Sequence, residues 1–223
     1  MRKIESNISP RVVNEAADDL FAGVAHADKY QSGNWIARKL VSNFMQTILI
    51  TVQEAGSRDV HEIGCGEGHI LGILAANNFK ARGCDISVES LAVAKKEAAK
   101  RSLDIPLEIK SIYELNPLHD SADTVLCCEV LEHLTEPEEA LKKLISITKR
   151  DLIVSVPNEP FWHILNMVRG KYLSALGNTP GHYNHWSRGQ FIKFISVHAE
   201  IVKVKNPLPW TLIHCRPHKK TIV

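Results

Sequence analysis

The residues best suited to bind a ligand lie in one glycine-rich segment, Glu62–Gly68, with the sequence EIGCGEG. It follows a short apolar strand pattern, and a helical pattern begins directly behind it. Glycines let the backbone turn tightly and approach a ligand closely. The free N–H groups of a helix N-terminus also attract an anionic group. The segment therefore predicts a backbone cradle for the carboxylate of a bound ligand.

Asp85 ends the next predicted strand, one strand–helix–strand unit further along the chain. A carboxylate at that point can accept hydrogen bonds from both hydroxyls of a ribose. The alternative is a cluster of turn glycines followed by a helix-capping aspartate. His69 stands where the dinucleotide fingerprint G-x-G-x-x-G has its third glycine, so a nicotinamide or flavin enzyme is disfavoured.

A second group of reactive side chains consists of Glu129, Glu132 and His133 after the fourth strand pattern, with His182 and His185 further along. Glu129, His133, His182 or His185 can act as a general base or contact a substrate. Alternatively, Glu129, Glu132, His133 and one or both later histidines bind a divalent metal, since carboxylate and imidazole are suitable ligands. In a third interpretation, Glu132 and His133 belong to a structural turn.

Alternating strand and helix patterns must position these groups. A helix is predicted from Trp35 to Thr51, where apolar residues recur at helical spacing. Further helices are predicted at 69–76, 87–101, 137–147 and 187–197, and strands at 59–63, 80–84, 107–110, 123–128, 152–156, 201–205 and 210–215. Such alternation predicts a Rossmann-like, doubly wound α/β fold. We expect a single domain over residues 1–223 with a mostly parallel seven-stranded sheet whose last strand is antiparallel.

The composition excludes several classes of protein. The chain of 223 residues is 44% hydrophobic and 23% charged, which is typical of globular proteins. A net charge of +2 gives no general attraction to nucleic acid. The five cysteines form no C-x-x-C pair, so no zinc or redox site is indicated. No signal peptide or membrane span is recognised, and we expect a cytoplasmic protein.

Three segments, Glu62–Gly68, Cys84–Ser87 and Asp123–Leu134, resemble successive motifs of class I S-adenosylmethionine-dependent methyltransferases. The stretch Cys128–Leu134, CEVLEHL, is similar to the EVLEHL segment of the ubiquinone-biosynthesis-like O-methyltransferase group. The resemblance covers residues 30–200 and implies S-adenosylmethionine as cofactor and S-adenosylhomocysteine as product. The cofactor-binding residues that it implies are Glu62, Gly64, Cys65, Gly66, Gly68, Asp85, Ile86, Ser111, Ile112, Cys128 and Glu129.

The resemblance also assigns roles within this set. It implies that Glu62 orients the amino end of the cofactor through the glycine loop, that Asp85 holds the ribose and that Ile86 lies against the adenine. Ser111 and Ile112 fall where the family contacts the adenine edge. The family often has aspartate where Ser111 stands, so this position departs from its pattern.

The metal alternative has a resemblance of its own. The arrangement E-x-x-E-H, Glu129 to His133, with a downstream histidine is similar to that of small-RNA 3′-end 2′-O-methyltransferases. The same E-x-x-E-H also occurs in metal-free members of the wider family. A D/N-P-P-Y/F motif is absent from the fourth strand, which disfavours methylation of a nucleobase amine.

Two segments are expected to cover the acceptor. Residues 1–55 are predicted to form an N-terminal helical cap, and residues 158–186 a lid rich in aromatic and apolar residues that could also contact a membrane surface. In the alternative, these apolar residues belong to the core. The candidate substrate and lid residues are Tyr30, Trp35, Arg38, Trp162 and Tyr183.

Together these features predict an S-adenosylmethionine-dependent methyltransferase that methylates an oxygen of a small-molecule or lipid-like acceptor, without a metal. A metal-assisted RNA ribose 2′-O-methyltransferase is one alternative, although a near-neutral chain offers little sign of an RNA-binding face. A non-catalytic protein that binds S-adenosylmethionine is another.

Overall fold

The computed structural model describes residues 35–159 and 183–218. Within them, one sheet has the strand order β3-β2-β1-β4-β5-β7-β6. Every neighbouring pair from β3 to β5 is parallel, whereas β7 is antiparallel to both β5 and β6. The strands are β1 Asp59–Ile63, β2 Lys80–Asp85, β3 Leu107–Ile109, β4 Ala122–Cys128, β5 Thr148–Pro157, β6 Ala199–Lys205 and β7 Trp210–Pro217. The predicted sheet, with its last strand antiparallel, is confirmed.

The helices of the described residues are α1 Trp35–Ala55, α2 His69–Ala76, α3 Val88–Lys100, α4 Pro117–Asp120, α5 Pro137–Ile147 and α6 Arg188–Ser196. Two 3₁₀ turns cover Ile112–Glu114 and Leu131–His133. Serines cap two of these helices: the Ser87 side chain accepts the Ser90 N–H, and the Ser187 side chain accepts the Gln190 N–H. The sequence pattern missed α4 and both 3₁₀ turns because each is too short to show a period.

Two apolar clusters cover the two faces of the sheet. Successive side chains of a strand point to opposite faces. Leu126 of β4 accordingly joins the cluster with α1 and α2, and Val125 joins the cluster with α5 and α6. Leu141 of α5 and Phe191 of α6 are fully buried in the second cluster. The helices cover the two faces of the sheet but not its ends. The carboxyl ends of the parallel strands therefore all lie along one side of the sheet, called the carboxyl edge below.

The C-terminal hairpin inserts β7 between β5 and the edge strand β6. Its register places Trp210 opposite Pro157, at the carboxyl end of β5. Trp210 therefore lies at the carboxyl ends of the parallel strands, where the glycine segment also lies. Within the described residues, no helix is long and apolar enough to cross a membrane.

Candidate active site

The glycine segment forms a tight loop between β1 and α2. Gly64, Gly66 and Gly68 have φ angles of +75°, +51° and +76°, a region that side chains disfavour. The N–H groups of Gly64 and Cys65 both donate to the Cys84 carbonyl, at 2.8 and 3.0 Å. These bonds attach the loop to the end of β2, as a cofactor cradle requires.

Two of these glycines are needed for different reasons. A Cβ on Gly64 would collide with Val130 Cγ2, in the segment after β4, so a larger residue fits only if Val130 moves. A Cβ on Gly66 would meet nothing within 4 Å. Gly66 therefore faces open space, and a ligand can approach its backbone.

Asp85 closes the cradle at the end of β2. Its Oδ2 accepts the Gly66 N–H at 2.7 Å, and its Oδ1 accepts the Ser87 N–H at 2.9 Å. A carboxylate has about four lone-pair sites, so both oxygens can still accept ribose hydroxyls. Ile86, the next residue, is 71% exposed and offers an apolar surface beside the carboxylate. These residues fit a nucleoside attached to an amino acid.

Glu62 supports the loop from behind. Its side chain is 2% exposed, and the backbone N–H of Leu71 in α2 donates to it. Burial, and secondarily the nearby Asp85 charge, raises the pKa of Glu62 well above its usual range. Glu62 therefore connects β1 with the first turn of α2 and fixes the loop between them.

The remaining predicted cofactor residues surround this cradle. The Ser111 hydroxyl accepts the Tyr113 N–H at the start of a 3₁₀ turn, and Ile112, the first residue of that turn, is buried. The side chains of Cys65 and Cys128 are buried, and burial raises the pKa of both thiols. Cys65 therefore presents backbone to the loop, whereas its side chain packs against Gly83.

Glu129, directly after β4, has a φ angle of +59° and so adopts a conformation unusual for a residue with a side chain. Its Oε1 accepts the Ser155 hydroxyl at 3.0 Å, and its Oε2 accepts the Trp210 indole N–H at 2.6 Å. The Trp210 ring stacks on Phe44 of α1 at 4.5 Å. Burial raises the pKa of Glu129 to about 8 despite the two donors. A carboxyl group that titrates near neutral pH suits proton transfer.

Two further buried carboxyl groups lie close enough to influence Glu129 electrostatically: Glu132 and Glu159. Glu132 is 1% exposed, and burial raises its pKa well above the usual range. Neither of its carboxylate oxygens has a hydrogen-bond partner within 35–159 and 183–218. The sequence analysis missed Glu159, although its place at the end of β5 is a signal, since ligands bind where parallel strands end.

The segment after residue 182 lies across this edge. Tyr183 and Asn184 donate their backbone N–H groups to the Glu132 carbonyl, at 2.8 and 3.1 Å. His185 Nδ1 then lies 3.1 Å from Glu159 Oε1. Of the predicted catalytic residues, the structure thus brings Glu129 and His185 to one edge of the sheet.

Other predicted site residues are exposed or lie outside the described residues. His133 is exposed, whereas its neighbour Glu132 is buried. Arg38 is exposed on α1, and Tyr183 is 67% exposed. Tyr30, Trp162, His182 and the side chain of Trp35 are outside the described residues.

The predicted metal alternative involves Glu129, Glu132, His133, His182 and His185. Among the described residues, no three histidine, cysteine, aspartate or glutamate side chains are grouped so that they could hold a metal ion. His182, one of the five residues of that alternative, lies outside the described residues.

Comparison with known proteins agrees with this geometry. A family model described as a methyltransferase domain matches residues 61–154. A ubiquinone biosynthesis O-methyltransferase of Coxiella burnetii is 29% identical over 92 residues, which covers 41% of this chain and 39% of that enzyme. The chain thus matches less than half of this relative.

Solved structures share this fold over most of the chain. A magnesium protoporphyrin IX methyltransferase from Synechocystis aligns over 93% of this chain and 99% of its own, with a TM-score of 0.63 and 19% identity. A small RNA methyltransferase aligns over 80% of this chain and 26% of its own, with a TM-score of 0.62 and 25% identity. The matched segment, the sheet topology and the glycine loop agree: residues 61–154 match a methyltransferase domain, and the sheet has the fold of class I, S-adenosylmethionine-dependent methyltransferases.

Proposed function

We propose that this protein transfers a methyl group from S-adenosylmethionine to an oxygen atom of a small-molecule or lipid-like acceptor, with S-adenosylhomocysteine as the second product. The observation that carries the donor assignment is the bond between Asp85 and the Gly66 N–H, next to the exposed Ile86. The choice of oxygen is supported by the name of the relative from Coxiella burnetii.

Each cradle residue would contact a different part of the donor. Gly64, Cys65 and Gly66 would present backbone to its methionine part, and Glu62 would keep that backbone in place. Asp85 would accept the ribose hydroxyls, and Ile86 would cover one face of the adenine. Ser111 and Ile112 would lie at the adenine edge, with Gly68 in the loop and Cys128 beside Glu129. When bound, the sulfonium donor supplies an activated methyl group.

The protein must then orient the acceptor, exclude water and take up the hydroxyl proton. Glu129 and His185 lie at the same sheet edge as the cradle. The carboxyl group of Glu129 is held by Ser155 and Trp210, which suits a fixed contact to acceptor or donor. His185 is partly exposed, so its ring is accessible to an acceptor. His133 and His182 remain further candidates from the sequence.

The extent of the domain is part of the proposal. We propose that residues 1–223 form one domain, in which residues 1–55 cap the donor and residues 158–186 cover the acceptor. Tyr30, Trp35, Arg38, Trp162 and Tyr183 would then contribute to acceptor choice. An apolar cover of this kind would also allow peripheral contact with a membrane that holds a lipid-like acceptor.

Calorimetry with S-adenosylmethionine tests the donor assignment. Asp85→Asn removes the negative charge of the side chain that accepts the Gly66 N–H. Gly66→Val places a side chain in the open space of the cradle. Both should weaken binding by about tenfold or more, which corresponds to roughly 1.4 kcal/mol. Asp104→Asn, on an exposed loop, is the matched control and should bind as the wild type does. Unchanged binding by both cradle variants contradicts the proposal.

An acceptor screen tests the transfer itself. Radiolabelled methyl donor is incubated with the wild type and catechols, prenylated phenols, alkyl alcohols, primary amines and short RNA duplexes. We expect label in a phenol or alcohol. Label only in an amine, or in none of these compounds, overturns the proposed O-methylation.

One observation favours a second candidate, metal-assisted methylation of an RNA ribose. Glu132 is a buried carboxylate without a hydrogen-bond partner in the described residues, close to Glu129. The likeness to a small RNA methyltransferase points the same way. Label in the 3′-terminal ribose of an RNA duplex, dependent on added Mg²⁺ or Mn²⁺ and lost in Glu132→Gln, would establish it. Insensitivity to chelators would exclude it.

A further inference from the structure

Glu159 occupies a position held by backbone hydrogen bonds from two directions. The N–H of Asn158, one residue earlier, donates to the Pro209 carbonyl before β7 at 2.9 Å. The N–H of Glu159 itself donates to the Trp186 carbonyl at 3.2 Å. The chain after β5 is therefore joined both to the C-terminal hairpin and to the segment that carries His185.

His185 is held from its other side by the turn after β4. Tyr183 and Asn184 both donate to the Glu132 carbonyl, and the Asn184 side chain donates to the carbonyls of Leu131 and Leu134. The backbone around His185 thus bridges the ends of β4 and β5. These two strands are neighbours, and their ends flank Glu129.

The side chains of Glu159 and His185 differ in exposure. Glu159 Oε1 lies 3.1 Å from His185 Nδ1, within hydrogen-bonding distance. The Glu159 side chain is 8% exposed, and the His185 ring is 35% exposed. The buried carboxylate is thus the fixed partner, and the ring extends from it toward the surface of the sheet edge.

A carboxylate next to one ring nitrogen determines which nitrogen carries the proton in neutral imidazole. With the proton on Nδ1 facing Glu159, Nε2 keeps its lone pair and can accept a proton. The same carboxylate stabilises the imidazolium that forms when Nε2 takes up a proton.

We infer that Glu159 is a positioning residue that holds His185 as the general base for the acceptor hydroxyl, an inference that rests on the proposed O-methyl transfer. The acceptor O–H bond breaks and its proton moves to His185 Nε2. The oxygen keeps that electron pair and uses another lone pair to form the bond to the methyl carbon. The methyl–sulfur bond breaks and its electrons stay on sulfur as the neutral thioether.

The first test needs no acceptor. Nitrogen NMR of ¹⁵N-histidine-labelled protein reports which ring nitrogen is protonated, and His185→Gln identifies the His185 signals. We expect the Nδ1-protonated form in the wild type and a shift toward the Nε2-protonated form in Glu159→Gln. Glu138→Gln is the matched control, because Glu138 pairs with His198 at 3.6 Å on the surface. An Nε2-protonated His185 in the wild type overturns the inference.

The second test measures methyl transfer to the acceptor that gives the highest rate among the screened phenols and alcohols. Glu159→Gln should lower kcat by roughly 10- to 100-fold, since a misplaced catalytic group can cost that much. It should leave calorimetric binding of S-adenosylmethionine unchanged.

Two variants make the outcome decisive. Glu159→Asp keeps a carboxylate and should restore part of the lost kcat, and Glu159→Gln should add little to the loss caused by His185→Gln. Independent, multiplicative losses would show that Glu159 does not act through His185. A wild type that methylates no screened oxygen refutes the proposed function, whereas an active enzyme unaffected by Glu159→Gln refutes only this inference.

Discussion

The indole N–H of Trp210 donates to Glu129 Oε2 at 2.6 Å, although 81 residues separate them in the chain. Trp210 begins β7 and Glu129 follows β4, so the bond crosses the end of β5. Ser155 of β5 donates to the other oxygen of the same carboxyl group. The position of one acidic side chain at the candidate site therefore depends on three strands.

Trp210→Phe should remove this donor while the new ring can still stack on Phe44. Loss of a hydrogen bond to a buried carboxyl group typically lowers the free energy of unfolding by about 1–3 kcal/mol. Urea denaturation of the wild type, Trp210→Phe, Glu129→Gln and the double variant gives the coupling between the two residues. Fully additive effects would contradict a direct interaction.

The raised pKa of Glu129 predicts how stability depends on pH. Between 4.5 and about 8 the native carboxyl group keeps a proton that the unfolded chain has released. The free energy of unfolding should therefore fall as pH rises through this window and change little above it. Glu129→Gln cannot ionise, so its curve should be flatter than that of the wild type. Denaturation series at several pH values check this, and parallel curves would contradict it.

Gly64→Ala should destabilise the protein through a specific clash. The new Cβ would lie 2.4 Å from Val130 Cγ2, and the φ angle of +75° disfavours any side chain. Overpacking and backbone strain each lower the free energy of unfolding by about 1–3 kcal/mol. Adding Val130→Ala should recover part of the loss, as measured by thermal or urea unfolding. Gly189→Ala, at a helical site with open space around it, is the control and should be neutral or stabilising.

Ile86→Ala should weaken cofactor binding without affecting the fold. The side chain is 71% exposed, so little native packing is lost, whereas a bound adenine would cover it. Loss of two or three buried methylene or methyl groups, at about 0.8 kcal/mol each, corresponds to roughly 10- to 50-fold weaker binding. Leu118→Ala, on a side chain that is 86% exposed, is the matched control. Equal calorimetric affinities for all three proteins would exclude a role for Ile86.

Most secondary-structure boundaries could be predicted from local patterns. The bounds predicted for β1, α2 and α5 are confirmed residue for residue, because each begins at or borders a glycine or proline. β5 begins at Thr148, earlier than Leu152, because it pairs with Ala122 across an irregularity in β4. That extension depends on a neighbouring strand, which local periodicity does not report.

The sequence by itself determined the glycine loop and Asp85. Both belong to one strand–helix–strand unit, and their geometry depends on backbone freedom and on bonds between residues 62 and 87. Only the tertiary structure decided which acidic groups are buried together and which partners hold them. Glu159 meets His185, and Glu129 meets Trp210, because β5 and β7 end at the same edge of the sheet. Burial and charge coupling arise from packing between distant segments, so no local pattern contains them.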